Sequence, residues 1–244
     1  MISAQTSFDG FGADGPCLNR QLIREMEILW GEVLKLAAVV ENALRNSVQA
    51  FCDGRIDLAE RVRQEEFEID RKELEIDRDC LRILALHQPV ASDLRRVAVV
   101  MKINSDLERM GDLADHIAKR ARKLARRSEA QLIPPQLEFL ATEALGQVRE
   151  ALDALTRTDT ELARQVIAND FQVDRRRGLI LKDLKRSIRQ EPDNVTTWLR
   201  FINIARNLER VADHATNIAE SVIYLKEGEF VRRVGPRAEK SHGK

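Results

Sequence analysis

The sequence is poor in the residues that build sheets, crosslinks and membrane anchors. Aromatic residues fill 5% of the 244 positions, and there are only 11 glycines and 6 prolines. Strands favour aromatic and β-branched residues, and their turns need glycine, so this composition points to helices. Cysteine occurs three times, at Cys17, Cys52 and Cys80. An odd number without metal-ligand spacing reads as reduced thiols, which suits the cytoplasm. No apolar run approaches the roughly 20 residues that cross a bilayer. The first residues, Met1 to Cys17, lack the basic and apolar regions of a signal peptide. A cytoplasmic protein is therefore expected. Net charge is absent too: 40 basic and 40 acidic residues cancel. No global field draws the chain to nucleic acid or to a membrane surface.

Helical periodicity dominates what remains. Leu22, Met26, Leu29, Val33, Leu36, Val40 and Ala43 step by three and four. The spacing predicts a first helix from near Leu18 to Phe51. Asp53-Gly54 ends it, and Asp57 with Glu60 has the form of a capping box for a second helix. Pro89 stops that helix near His87 and is tolerated in the first turn of a third, running to about Arg127. At 1.5 Å per residue the third helix spans roughly 55 Å. Pro134-Pro135 marks a middle boundary, and the order repeats. Helices are expected near Gln136–Thr156, from a cap at Thr158 with Glu161 to Arg189, and after Pro192 to Lys226. The expected fold class is all-α: six helices in two tandem three-helix bundles, over 18–130 and 134–227, with flexible tails at 1–17 and 228–244. Three helices can bury their apolar stripes against one another. A single six-helix array with a shared core is the alternative.

The two halves repeat each other, and the repeat carries acids. The first half has Glu66-Phe67-Glu68-Ile69-Asp70, then Leu107-Glu108-Arg109-Met110-Gly111-Asp112. The second has Asp170-Phe171-Gln172-Val173-Asp174, then Leu208-Glu209-Arg210-Val211-Ala212-Asp213. Each half thus holds two acidic pairs spaced by four, on one helix face each. With 40 acids in 244 residues, about six such pairs arise by chance, so one pair means little. The recurrence of two pairs in both halves is the signal.

The third helix of each half has an apolar seam, through Ile103, Leu107, Met110 and Ile117, and through Ile204, Leu208, Val211 and Ile218. Glu108 and Asp112 fall roughly 130–170° from their seam, on the outer face, as do Glu209 and Asp213. On the second helix, Glu66, Asp70, Glu73 and Asp77 lie between the stripe Val62, Ile69, Ile76, Ile83 and another, Phe67, Leu74, Leu81. Asp170 and Asp174 occupy the matching gap, where Arg177 and Leu181 end the acidic run. Carboxylates flanked by apolar surface need positive charge. Arginines can supply it across a helix pair, or a hard cation can: all-carboxylate sites suit Mg²⁺, Ca²⁺, Mn²⁺ or oxidised iron.

The remaining chemistry-bearing residues read as ordinary. His116 follows Asp112 by four but is replaced by Asn217 in the second half. His87 and His214 have no repeat partner and read as surface or helix-end residues. Cys80 reads as a buried apolar position, and Trp30 and Trp198 as packing anchors. No nucleophile with a repeated base, phosphate loop or Glu-x-x-His di-iron motif is present, which argues against an enzyme. A carboxylate-bridged, metal-dependent hydrolase and a plain helical scaffold stay open as alternatives.

Three strings bring in a family. Leu86-His87-Gln88-Pro89-Val90-Ala91-Ser92-Asp93-Leu94-Arg95, the run Ile103–Asp112 and the run Ile204–Glu220 are long and ordered. From about Asn19 to Glu227 the chain resembles the PhoU family of phosphate-uptake regulators. The resemblance implies pseudo-twofold bundles and multinuclear metal clusters at the surface. Its implied ligands are Glu66, Asp70, Glu108 and Asp112 in one bundle, and Asp170, Asp174, Glu209 and Asp213 in the other. Iron stands first among the ions; zinc, manganese, magnesium and calcium are the others. It also implies a non-enzymatic negative regulator of the phosphate-starvation response. Its implied partners are the ATPase subunit of the phosphate ABC transporter, a membrane sensor histidine kinase and a second copy of the chain. Nucleic acid is not among them, and the membrane is reached only through the partners.

Overall fold

The computed structural model describes residues 20–126 and 133–231. The expected tails at 1–17 and beyond 231, and the expected helix ends at Leu18 and Arg127, lie outside the described residues. Six helices account for almost all of the rest: α1 (Arg20–Asp53), α2 (Ile56–His87), α3 (Ala91–Ala125), α4 (Pro135–Arg157), α5 (Thr160–Gln190) and α6 (Val195–Glu227). A single 3₁₀ turn, Pro192–Asn194, leads into α6.

Glycine, proline and left-handed residues set the breaks. Gly54 has φ +66° between α1 and α2. Gln88 closes α2 in the left-handed region, its N–H bonded to Leu84 O at 3.2 Å, just before Pro89. Pro135 takes the first position of α4, where its missing N–H costs nothing. Gly228 ends α6 at φ +77°. Two caps differ from expectation by a residue or two. The α2 cap is Arg55; Asp57 lies inside the first turn and takes the Arg55 guanidinium at 2.6 and 2.8 Å, while Glu60 binds Arg122 at 2.7 Å. At α5 the cap is Asp159, whose Oδ1 accepts the N–H groups of Glu161 and Leu162 at 3.0 and 3.1 Å. Thr158 is the left-handed end of α4 instead.

Helices α1, α2 and α3 pack on one another, and so do α4, α5 and α6. The two three-helix bundles meet mainly along α3 and α6, with a lesser contact of α1 on α4. Exchanging the two sets of helices leaves this pattern unchanged, the pseudo-twofold relation that the duplication requires. The meeting is no mere touch. One continuous apolar cluster runs through both bundles, so the shared core of the alternative architecture exists alongside the two bundles. Phe51 of α1 packs edge-on to Phe201 of α6, centroids 6.2 Å apart, and within α6 Trp198 packs edge-on to the same Phe201 at 5.8 Å. Burying aromatic groups of this size contributes about 1.5–3 kcal/mol each. Cys80 is fully buried, as expected.

One expected stripe is not covered. Phe67, Leu74 and Leu81 are 73%, 54% and 58% exposed. Among the described residues α2 packs chiefly on α1 and α3, which leaves this second apolar stripe facing outward.

Candidate metal centres

The first cluster sits where α2 and α3 run antiparallel. Asn104 of α3 fixes the pairing: its Nδ2 donates to Glu73 O at 3.0 Å and to Asp77 Oδ1 at 2.9 Å. Gly111 lets the helices approach closely, because a Cβ there would stand 3.0 Å from Ile69 Cδ1 and Cγ2. This register brings Glu66 and Asp70 opposite Glu108 and Asp112. The latter pair is only partly exposed, turned to α2 instead of open solvent. The physical reason is that α3 is surrounded by α1, α2 and α6, so little of its surface is outer face.

Two acids beyond the expected eight join this cluster. Glu73 belongs to the run on α2 that the periodicity already showed. Asp115 of α3 had no such signal; it is 1% exposed and lies near Glu66. The Lys119 ammonium stands against Asp115, without hydrogen-bond geometry to either carboxylate oxygen.

The acids push one another's ionisation up. Burial raises the Glu66 carboxyl most, then repulsion from Asp115, Asp70 and Asp112, with Lys119 opposing. Burial and Asp112 raise Asp70. Burial, Asp77 and Asp70 raise Glu73. Burial and Asp112 raise Glu108, to which Glu73 and Asp70 add, and Arg109 opposes. Arg109 reaches Glu108 only at 3.7 Å from an exposed position, and Arg71 is taken by Glu75 at 2.6 Å. The expected partial desolvation is real, but it comes from the packed α2–α3 face, not from the exposed Phe67 stripe.

The second cluster is built differently. The register that aligns Glu66 with Asp170 and Asp70 with Asp174 also aligns Ala43 with Gln147 and Glu73 with Arg177. The register that aligns Glu108 with Glu209 aligns Asp115 with Thr216. Asp170 is 1% exposed and accepts Gln147 Nε2 at 3.2 Å; the same amide donates to Thr216 Oγ1 at 2.9 Å. Arg177 Nη2 donates to Glu209 Oε1 across α5 and α6. Burial still raises the Glu209 carboxyl first, with Asp213 and Asp174 adding and Arg177 pulling it back.

The three described histidines stand apart from both clusters. His116 is exposed. His87 ends α2 beside Glu25, 3.4 Å away. His214 is not a surface residue: its Nδ1 lies 2.8 Å from Asp106 Oδ1, which also accepts Asn217 Nδ2 at 3.0 Å, and this triad ties α6 to α3.

An ion fits these residues by chemistry. The donors are hard oxygens, the first cluster has more negative charge than its side chains neutralise, and Asp115 is a buried carboxylate facing it. Among the described residues no three acidic, histidine or cysteine groups yet stand in ion-holding geometry. Flexible carboxylates would have to rotate together to share one.

A family model described as the PhoU domain matches residues 33–121 and again 137–222, the two halves carrying the clusters. The chain belongs to the PhoU family. The phosphate-specific transport system accessory protein PhoU homolog of Pseudomonas aeruginosa is 37% identical over 218 residues, covering 89% of this chain and 90% of that one. The crystal structure of PhoU from Pseudomonas aeruginosa superposes with a TM-score of 0.79 at 36% identity, over 86% of this chain and all of that one. That of the phosphate transport system regulatory protein PhoU from Streptococcus pneumoniae gives 0.78 at 29% identity, over 87% of this chain and all of that one. The six-helix, duplicated fold is therefore the fold of PhoU-family proteins.

Proposed function

We propose that this PhoU-family chain is a non-enzymatic accessory protein of phosphate uptake and a negative regulator of the phosphate-starvation response. It acts in the cytoplasm as an adaptor between the ATPase subunit of a phosphate ABC transporter and a membrane sensor histidine kinase, and works as a homodimer. The carrying observation is similarity along nearly the whole chain to proteins named for the phosphate-specific transport system. No described helix is long and apolar enough to cross a membrane; in this proposal contact with the membrane comes through the partners.

In this proposal Glu66, Asp70, Glu108 and Asp112 hold one metal cluster, and Asp170, Asp174, Glu209 and Asp213 the other. Iron is the first candidate, then zinc, manganese, magnesium or calcium. The ions would supply the positive charge that the raised carboxyls of the first cluster lack. Deleting the gene should switch on phosphate-starvation genes in rich phosphate; unchanged repression would end the regulatory proposal. A pull-down from phosphate-replete cells should return the transporter ATPase and the kinase. Glu108→Ala with Asp112→Ala should remove ions from the purified protein while its helical circular dichroism stays unchanged.

A further inference from the structure

The two clusters share a frame but not a charge pattern, and the difference centres on one position. Glu73 faces the Glu108 end of the first cluster; its repeat counterpart is Arg177, hydrogen-bonded to Glu209. We propose that Arg177 is a built-in counter-cation that closes the second cluster, so that hard metal ions fill the first cluster at lower concentration. This rests on the metal-holding proposal above and goes further by ranking the two clusters.

Three observations support it. The Arg177 and Glu209 side chains are 29% and 17% exposed, so the pair is partly withdrawn from water and its charge is not free for an incoming ion. Asp170 is turned inward to the Gln147 amide, whereas the repeat register puts Ala43, which has no side-chain donor, at the first-bundle position of Gln147. The first cluster does hold a cation, Lys119, but at its far end: it stands against Asp115, eleven residues along α3 from Glu108. The ammonium itself sits at Asp115, seven residues from Glu108, and at 1.5 Å per residue that is roughly 10 Å, beyond ion-pair reach of Glu108. The Asp70, Glu73, Glu108 and Asp112 end is met by Arg109, an exposed side chain 3.7 Å from Glu108, where the second cluster has Arg177 hydrogen-bonded to Glu209.

An ion entering the second cluster must displace a charge-assisted hydrogen bond. Such a bond between partly buried groups corresponds to an affinity lower by on the order of ten- to a hundredfold. The test uses the full chain, stripped with chelator and titrated with manganese(II), with bound metal counted by elemental analysis and affinity read by calorimetry. In the parent protein, Glu108→Gln with Asp112→Asn should abolish the tight binding, while Glu209→Gln with Asp213→Asn should leave it. Arg177→Glu, which copies the first cluster, should tighten the second by about ten- to a hundredfold. Arg177→Gln, gentler on packing, should move it the same way by less, with folding checked by circular dichroism. Glu73→Arg should weaken the first cluster. Equal affinities at both clusters in the parent protein, or a second cluster indifferent to Arg177→Gln and Arg177→Glu alike, would overturn the inference and leave metal binding standing. No ion on any variant would overturn both.

Discussion

Where the first bundle places Glu73, Asp115 and Lys119, the second places Arg177, Thr216 and Glu220. The backbone frame and the eight motif acids survived duplication; their neutralisation did not. In the first bundle a buried carboxylate is balanced by a lysine at one end, and acids crowd the other. In the second, Gln147 and Thr216 make a neutral hydrogen-bonded network around Asp170, and Arg177 meets Glu209 directly. A repeated acidic motif thus fixes where negative charge sits, while its neighbours decide whether that charge remains available. Two copies of one motif need not do one job.

The largest expected effect breaks the charge balance of the first bundle. Lys119→Met leaves Asp115 buried without its ammonium, and removing one partner of a buried pair commonly costs 3–5 kcal/mol. Lys119 is partly exposed, so about 3 kcal/mol is the expected loss in denaturant unfolding. Asp115→Thr added to Lys119→Met copies the second bundle and should recover most of it. If the single variant loses less than about 1 kcal/mol, the Lys119–Asp115 pair does not carry the charge balance of the first bundle.

Next comes the neutral network. Gln147→Leu removes the amide shared by Asp170 and Thr216 and should cost about 2 kcal/mol. Ala43→Gln in the first bundle must fit a much larger side chain at a fully buried position and should give no comparable gain. A gain there would show the two interiors to be interchangeable, against the comparison.

The two bundles should also differ with pH. Glu65, Glu66, Asp70, Glu73 and Glu108 are all raised in the first, chiefly by burial; in the second, Glu209 alone is clearly raised. A raised carboxyl binds its proton more tightly when folded, so it costs stability at neutral pH and that cost is relieved as pH falls through the raised range. Glu25, Asp57 and Glu60 are lowered by Gln21, Arg55 and Arg122; their contribution is lost only further down, as pH falls through their depressed values, about 2 for Asp57. Melting temperature without metal should therefore rise as pH drops from about 7 toward the ordinary carboxylate range, then fall. Saturating manganese(II) should flatten the rise, and so should Glu73→Gln with Glu108→Gln. A melting temperature that falls steadily from neutral pH would contradict the crowding of the first cluster.

Much of this was legible in the residues. Proline, glycine and the heptad seams fixed six helices to within a few residues, because a ring without an N–H and a left-handed glycine act locally. The missed caps, Arg55 and Asp159, lie one or two residues from the expected ones, since several polar residues cluster at each helix start. Which acids face one another depends on how α2 lies against α3, and no single-helix pattern encodes that. Asp115 shows the limit: its burial depends on how α3 packs against its neighbouring helices, which its own stretch of sequence does not show. Phe67, Leu74 and Leu81 show the converse, since a stripe on one helix does not say whether a partner exists to cover it. The sign change from Glu73 to Arg177 was visible in the letters, but its bond to Glu209 needed the fold.

The smallest expected effect probes that close approach. Gly111 meets Ile69 in the first bundle; the same positions are Ala212 and Val173 in the second. One methyl group has moved from the α2 side of the interface to the α3 side. Gly111→Ala should gain about 1 kcal/mol of helix propensity but force a Cβ against Ile69 at 3.0 Å, and overpacking of that kind costs about 1–3 kcal/mol. A net loss of about 1 kcal/mol is expected. Ile69→Val alone loses about 1 kcal/mol through a cavity. Together they reproduce the second bundle's pair and should be less damaging than the sum of the singles, a coupling on the order of 1 kcal/mol in a double-mutant cycle. Strict additivity would mean that α2 and α3 can slide apart at this point, and the spacing that presents Asp70 to Asp112 would then be soft.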